Sequence, residues 1–143
     1  MKNLGKYLFS CSFFIMLPFS SYANCKLPDT LANKSIISRV SQLFTKENPL
    51  AGELMKLSFN KDGTYINNYL TSEKKYSGKY IYKKVTESVA FYSAEEEFEN
   101  KITKYEVWLH CTNNVSGKYI YRQEEGAIAP QVRSNVGEYF FDR

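Results

Sequence analysis

Histidine is nearly absent from this sequence: His110 is the only one among 143 residues. Any histidine-based mechanism has to run through that one side chain, which sits between Leu109 and Cys111 in a strand-like run. Neighbouring strand residues point to opposite faces, so His110 and Cys111 cannot form a nucleophile pair. No Gly-x-Ser-x-Gly elbow is present to expose a serine. Cysteine is also scarce, and Cys25, Cys111 and His110 lack the spacing of metal ligands. Asn60-Lys61-Asp62-Gly63 lacks the acidic run of a calcium loop. These shortages point away from an enzyme, a metal site or a bound cofactor.

Long apolar runs are missing after residue 19, so the remainder offers nothing near the ~20 residues that a membrane-spanning helix needs. An excess of one charge is missing too. The whole chain carries +4, and removing Lys2 and Lys6 with the leader described below leaves 17 basic and 15 acidic residues, a net +2. A nucleic-acid binder should concentrate positive charge on one face, and this composition does not.

The N-terminus is different. Lys2 and Lys6 precede an apolar run from Tyr7 to Phe19, followed by Ser20-Ser21-Tyr22-Ala23. A basic start, a short apolar centre and a small-x-small end make a secretory signal peptide. The expected cut follows Ala23. Residues 24–143 then form one exported domain of 120 residues, in the periplasm or outside the cell. Cys11 leaves with the leader. Cys25 and Cys111 remain, and two cysteines in an exported chain most simply pair. Such a bridge would staple the N-terminal segment to a central strand.

The rest of the chain is rich in tyrosine, phenylalanine, valine, isoleucine and threonine, in short runs between turn residues. That is strand composition. Met55, Leu57 and Phe59 alternate with Lys56 and Ser58, and Tyr105, Val107, Leu109 and Cys111 share one face of a later run. Strands are expected over Ser35 to Val40, Glu53 to Asn60, Thr64 to Leu70, Tyr76 to Lys84, Ser88 to Ser93, Ile102 to Cys111, Val115 to Arg122 and Ser134 to Asp142. One short helix is expected near Ser38 to Lys46, where Val40, Leu43 and Phe44 can share a face before Asn48-Pro49. Ala94 to Asn100 reads as a solvated acidic loop, and Gln123 to Pro130 as a second loop.

A repeat runs through the strands. Tyr76-Ser77-Gly78-Lys79-Tyr80-Ile81-Tyr82 closely matches Val115-Ser116-Gly117-Lys118-Tyr119-Ile120-Tyr121. The shorter Gly-x-Tyr unit also occurs at Gly63-Thr64-Tyr65 and Gly137-Glu138-Tyr139. A glycine in a strand permits a bend or a close backbone approach, and a tyrosine ring can cover the gap. Used around a sheet, the device helps it close. The expectation is an all-β, antiparallel up-and-down barrel of about eight strands, with each tyrosine hydroxyl near solvent.

The segment Phe59-x-x-x-Gly63-Thr64-Tyr65, followed by Ser77-Gly78-Lys79-Tyr80-Ile81-Tyr82, resembles the small lipocalin-like β-barrels. The lipocalin Gly-x-Trp signature near the first strand is not matched, since the only tryptophan is Trp108. The size, leader and cysteine pair also resemble periplasmic inhibitors of lysozyme or of secreted proteases. Their Ser-Gly-x-x-Tyr motif meets isoleucine here, at Ile81 and Ile120, so no inhibitory residue carries over.

The first resemblance implies a monomeric, non-catalytic exported binding protein that takes a small apolar ligand or a partner protein. With inner faces this bulky, the interior is expected to be mostly filled and binding to use the mouth or the outer surface. Tyr69, Tyr92 and Trp108 are the aromatic contact candidates. The second implies an inhibitor or immunity-type partner of a secreted hydrolase, working through a contact loop, either Ala94 to Asn100 with Glu95, Glu96, Glu97 and Glu99, or Gln123 to Pro130.

Overall fold

Period-two alternation becomes a closed antiparallel barrel in the computed structural model, which describes residues 25–142. Its strands are β1 (Lys34–Val40), β2 (Leu54–Phe59), β3 (Thr64–Tyr69), β4 (Lys75–Lys84), β5 (Val89–Phe98), β6 (Lys101–Cys111), β7 (Ser116–Glu125) and β8 (Arg133–Asp142). Each pairs with the next, and β8 returns to β1 through Ser35↔Asp142 to Val40↔Gly137. Closure leaves no unpaired sheet edge. The expected leader, its cleavage point and Cys11 lie outside the described residues.

The inner face collects Ile36, Leu57, Phe59, Tyr65, Tyr92, Val107 and Leu109, all buried. Phe59 is the hub of an aromatic group, with ring centroids 4.9 Å from Tyr80 and 5.3 Å from Tyr92. The segment from Cys25 to Leu31 closes one end. Leu27 and Leu31 have no exposed surface, Leu27 N donates to Glu87 O at 2.8 Å, and the Tyr82 hydroxyl donates to Pro28 O at 2.7 Å. Cys25 is disulfide-bonded to Cys111 at the end of β6, which fixes this plug to the wall.

The tyrosine-glycine device works across strands. Tyr65 stands opposite Gly78, Tyr139 opposite Gly117 and Tyr119 opposite Gly137. Each ring lies over its neighbour's glycine. A Cβ built on Gly78 would meet the Tyr65 ring at 3.0 Å, and one on Gly137 would meet the Tyr119 ring at 2.5 Å. By sequence alone each tyrosine is expected to cover its own glycine and keep its hydroxyl near solvent. The strand register instead sends Tyr65, Tyr119 and Tyr139 into the interior, where all three are buried.

Three local expectations are corrected. No helix forms at 38–46, or elsewhere among the described residues. Ile36, Ser38 and Val40 face inward with a strand on each side, and β1 hydrogen bonds compete successfully with one helical turn. Leu43 and Phe44 then remain about 70% exposed, at 70% and 72%, with nothing for a helical face to cover. The expected acidic loop from Ala94 is mostly strand, because β5 continues to Phe98 and pairs through Glu97↔Ile102. Similarly, β7 continues to Glu125, so the second loop is shorter than expected.

Candidate functional site

The inner wall does not fill the barrel completely. A cavity remains, with about 50 Å³ open to the centre of a water-sized sphere. One water needs about 10–15 Å³ on this measure, so the space takes a few waters or a ligand of about four heavy atoms. Its lining mixes apolar residues such as Met55 and Val107 with Asn67, Glu96, Tyr121 and Asn135. Among the described residues, no lysine or arginine is part of that lining.

Glu96 arrives there by strand phase. Ala90, Tyr92, Ala94 and Glu96 follow one another on the inner face of β5, while Glu95 and Glu97 are exposed. The expected four-glutamate contact loop is therefore divided. Glu95 pairs with Lys104 at 3.2 Å on the outside. Glu99 lies in the turn after β5, with φ of 50°. Glu96 alone enters the barrel.

Two hydroxyls meet it. Tyr65 OH lies 2.7 Å from Glu96 Oε1, Tyr105 OH lies 3.2 Å from the same oxygen, and the two hydroxyls are 2.6 Å apart. An ionised Glu96 supplies no proton to this triangle, and the two phenols supply one each. The two short edges then take those protons. Tyr105 donates to Tyr65, Tyr65 donates to Glu96, and the longest edge is left without one. The other carboxylate oxygen, Oε2, accepts no hydrogen bond among the described residues.

Burial is the largest influence on Glu96, and it raises the carboxyl above its ordinary value of 4.5 against the lowering effects of Tyr65, Tyr105 and Arg133. Arg133 makes no ion pair with it. Its guanidinium donates to Pro130 O at 3.0 Å, Ile128 O at 3.1 Å and Ala129 O at 3.2 Å, holding the β7–β8 loop. Burial also raises the phenols of Tyr69, Tyr92 and Tyr105, so all three stay neutral at any physiological pH.

A stability test follows. A carboxyl with a raised folded pKa contributes stability that is fully present below its unfolded value and lost as pH rises through the folded one. In ligand-free protein, Glu96→Gln keeps an acceptor for Tyr65 and removes the ionisation. Its melting temperature relative to wild type should therefore rise as pH moves from below 4.5 to neutrality. Thermal melts across that range check this, and parallel curves would show that Glu96 is not desolvated.

Other polar atoms face the same difficulty. Asn67 Oδ1, Asn135 Oδ1, Tyr119 OH and Tyr139 OH are buried without a hydrogen-bond partner, and all four residues line the cavity. Native interiors rarely leave such atoms unpaired unless a water or ligand meets them. Sequence alone gave no sign of Asn67 or Asn135, because a polar residue at an inner position breaks the alternation instead of announcing itself.

The three aromatic candidates do not converge. Tyr69 and Tyr92 line the cavity. Trp108 is outside, 40% exposed and stacked on Phe91 with centroids 4.8 Å apart. It begins an apolar row across the outer wall, since Phe91↔Trp108, Trp108↔Ile120 and Ile120↔Val136 are direct cross-strand partners. His110 is exposed on the same wall opposite Lys118. Among the described residues no group of three His, Cys, Asp or Glu is placed to hold a metal ion. Glu53, buried at the β1–β2 connection, accepts from Thr71 N at 3.0 Å and Ser72 N at 3.2 Å, which is a structural role.

Comparison with protein-family models, with curated proteins and with solved structures gave no match.

Proposed function

We propose that this chain is a non-catalytic, exported, lipocalin-like binding protein whose ligand occupies the inside of the barrel. The observation that carries the reading is a polar lining to one cavity, where the Glu96 carboxylate, without a salt-bridge partner among the described residues, stands with Asn67 and Asn135. A barrel evolved only as a rigid shell would place apolar residues there, since each unpaired polar group costs about 1–3 kcal/mol. The Cys25–Cys111 bridge suits an oxidising compartment. Catalysis has little support, because His110 is on the outer wall and Cys111 is in the disulfide.

Native mass spectrometry of the full chain, expressed and recovered from an exporting cell, tests the reading. The expected mass begins at Asn24, lacks two hydrogens and carries a small-molecule addition. A bare mass under gentle ionisation, together with an unchanged melting temperature after dialysis, would overturn the ligand.

One feature favours a second reading, a protein-directed inhibitor or immunity-type partner. The outer row of Trp108, Ile120 and Val136 is apolar and exposed, and such rows mark protein contacts. That reading expects a stoichiometric protein in the same native spectrum, lost with Ile120→Asp.

A further inference from the structure

Resting on the reading of an internal ligand, we propose that the cavity selects a small organic ammonium ion, with Glu96 Oε2 as its counter-ion.

The unmet groups define the ligand by what they lack. Glu96 is a half-buried carboxylate on the cavity wall with no salt-bridge partner among the described residues. A buried charge needs a partner or must be neutralised. Its Oε1 already takes the Tyr65 proton, so the remaining demand falls on Oε2. Asn67 Nδ2 points at Met55 Sδ, 3.9 Å away, which turns Asn67 Oδ1 to the other side as an unpaired acceptor. Asn135 Oδ1 is a further unpaired acceptor. At Glu96 Oε2 the site therefore asks for a hydrogen-bond donor and positive charge. A primary ammonium group offers both in one compact unit, with three N–H bonds directed outward.

Other ligand chemistries fit less well. An anion would approach a carboxylate, and among the described residues no lysine or arginine in the lining receives it. A small apolar ligand, as the sequence suggested, would leave the same acceptors unpaired and add their desolvation cost. The rest of the lining suits an organic cation. Tyr69, Tyr92, Tyr105 and Tyr121 lie around Glu96 and are neutral, so their rings can attract positive charge while covering a short alkyl stem. Size sets the upper limit, because about 50 Å³ on the water-sphere measure admits an amine of about four heavy atoms without repacking.

The test uses the mature, disulfide-bonded protein and ethylammonium chloride near neutral pH. Ethanol serves as the neutral control of matching shape, and sodium acetate as the anionic one. Binding is followed by melting temperature and by the side-chain amide signals of Asn67 and Asn135. Ethylammonium should bind in the millimolar range or tighter, move both amide signals, and raise the melting temperature. Ethanol and acetate should do neither. Glu96→Gln should weaken ethylammonium at least about tenfold while remaining folded, with the ligand-free melting temperature gaining on wild type as pH rises, as described above.

Equal binding of ethanol, or binding unaffected by Glu96→Gln, would overturn the ammonium assignment. So would silence towards ethylammonium at high millimolar concentration. The broader reading is judged separately, by an extract of the exporting compartment. Amide shifts with the extract but not with ethylammonium leave an internal ligand of other chemistry. Absence of shifts with either removes both and leaves a water-filled cavity.

Discussion

Replacing Cys25 and Cys111 together by serine should lower the unfolding free energy by about 4 kcal/mol. The bridge joins residues 86 apart in sequence, so cutting it frees most of the unfolded chain to expand. The folded state also suffers. Leu27 and Leu31, both fully buried, belong to the segment that the bridge pins across the barrel end. Once free, that segment keeps the packing of Leu27 and Leu31, the backbone bond from Leu27 to Glu87, the Tyr82 hydroxyl on Pro28, and a few surface contacts. Urea titration of the oxidised wild type against the double serine variant measures the difference. A loss below about 1 kcal/mol would mean that the plug is held by packing alone and that the bridge does not limit the unfolded chain.

The second large effect concerns the glycines beneath the tyrosines. Gly137→Ala should cost about 3 kcal/mol, the upper part of the range for overpacking a rigid interior. The added methyl would land on Arg39 O of β1 and within 2.5 Å of the Tyr119 ring. Gly117→Ala meets His110 O, the Tyr139 hydroxyl at 2.7 Å and Cys111 Cα at 2.8 Å, so a similar loss is expected there. Backbone is among the obstacles at both positions, and a tyrosine changing rotamer cannot relieve it. Gly52→Ala is the comparison. Its methyl meets nothing within 4 Å, although φ is +79°, so only the left-handed conformation is penalised, by about 1–2 kcal/mol. Chemical denaturation of the three variants separates the contributions. Equal losses at Gly52 and Gly137 would show that the close strand approach is not what those glycines provide.

These two features were also the most readable in the chain. The Gly-x-Tyr repeat pointed to closure, and the barrel closes with its tyrosines over glycines. The cysteine pair pointed to a staple, and Cys25 is bonded to Cys111. Alternation placed Met55, Leu57 and Phe59 and Tyr105, Val107 and Leu109 on the inner face without further help. Local pattern failed where a residue's role depends on a distant strand. Leu43 and Phe44 had helical spacing but no surface to cover. Which glycine a tyrosine covers is set by register, and that requires knowing the neighbour.

The candidate site was least legible. Four glutamates within Glu95 to Glu99 read as one solvated run, because composition masked the phase that Tyr92 and Ala94 had already set. Continuing that phase by one step would have put Glu96 inside. Asn67 and Asn135 carried no such clue. A buried amide at a ligand site resembles an ordinary outward polar residue until the barrel is closed around it.

The proposed binding site is inside the barrel and not on its outer wall. Nuclear magnetic resonance of the mature protein, titrated with a small-molecule extract of the exporting compartment, tests it most directly. Asn67 and Asn135 side-chain amides report on the cavity, and the Trp108 indole reports on the outer row. With the ligand inside, the two amides should move and the indole should stay still. Movement of the Trp108 indole with unchanged Asn67 and Asn135 amides would contradict it.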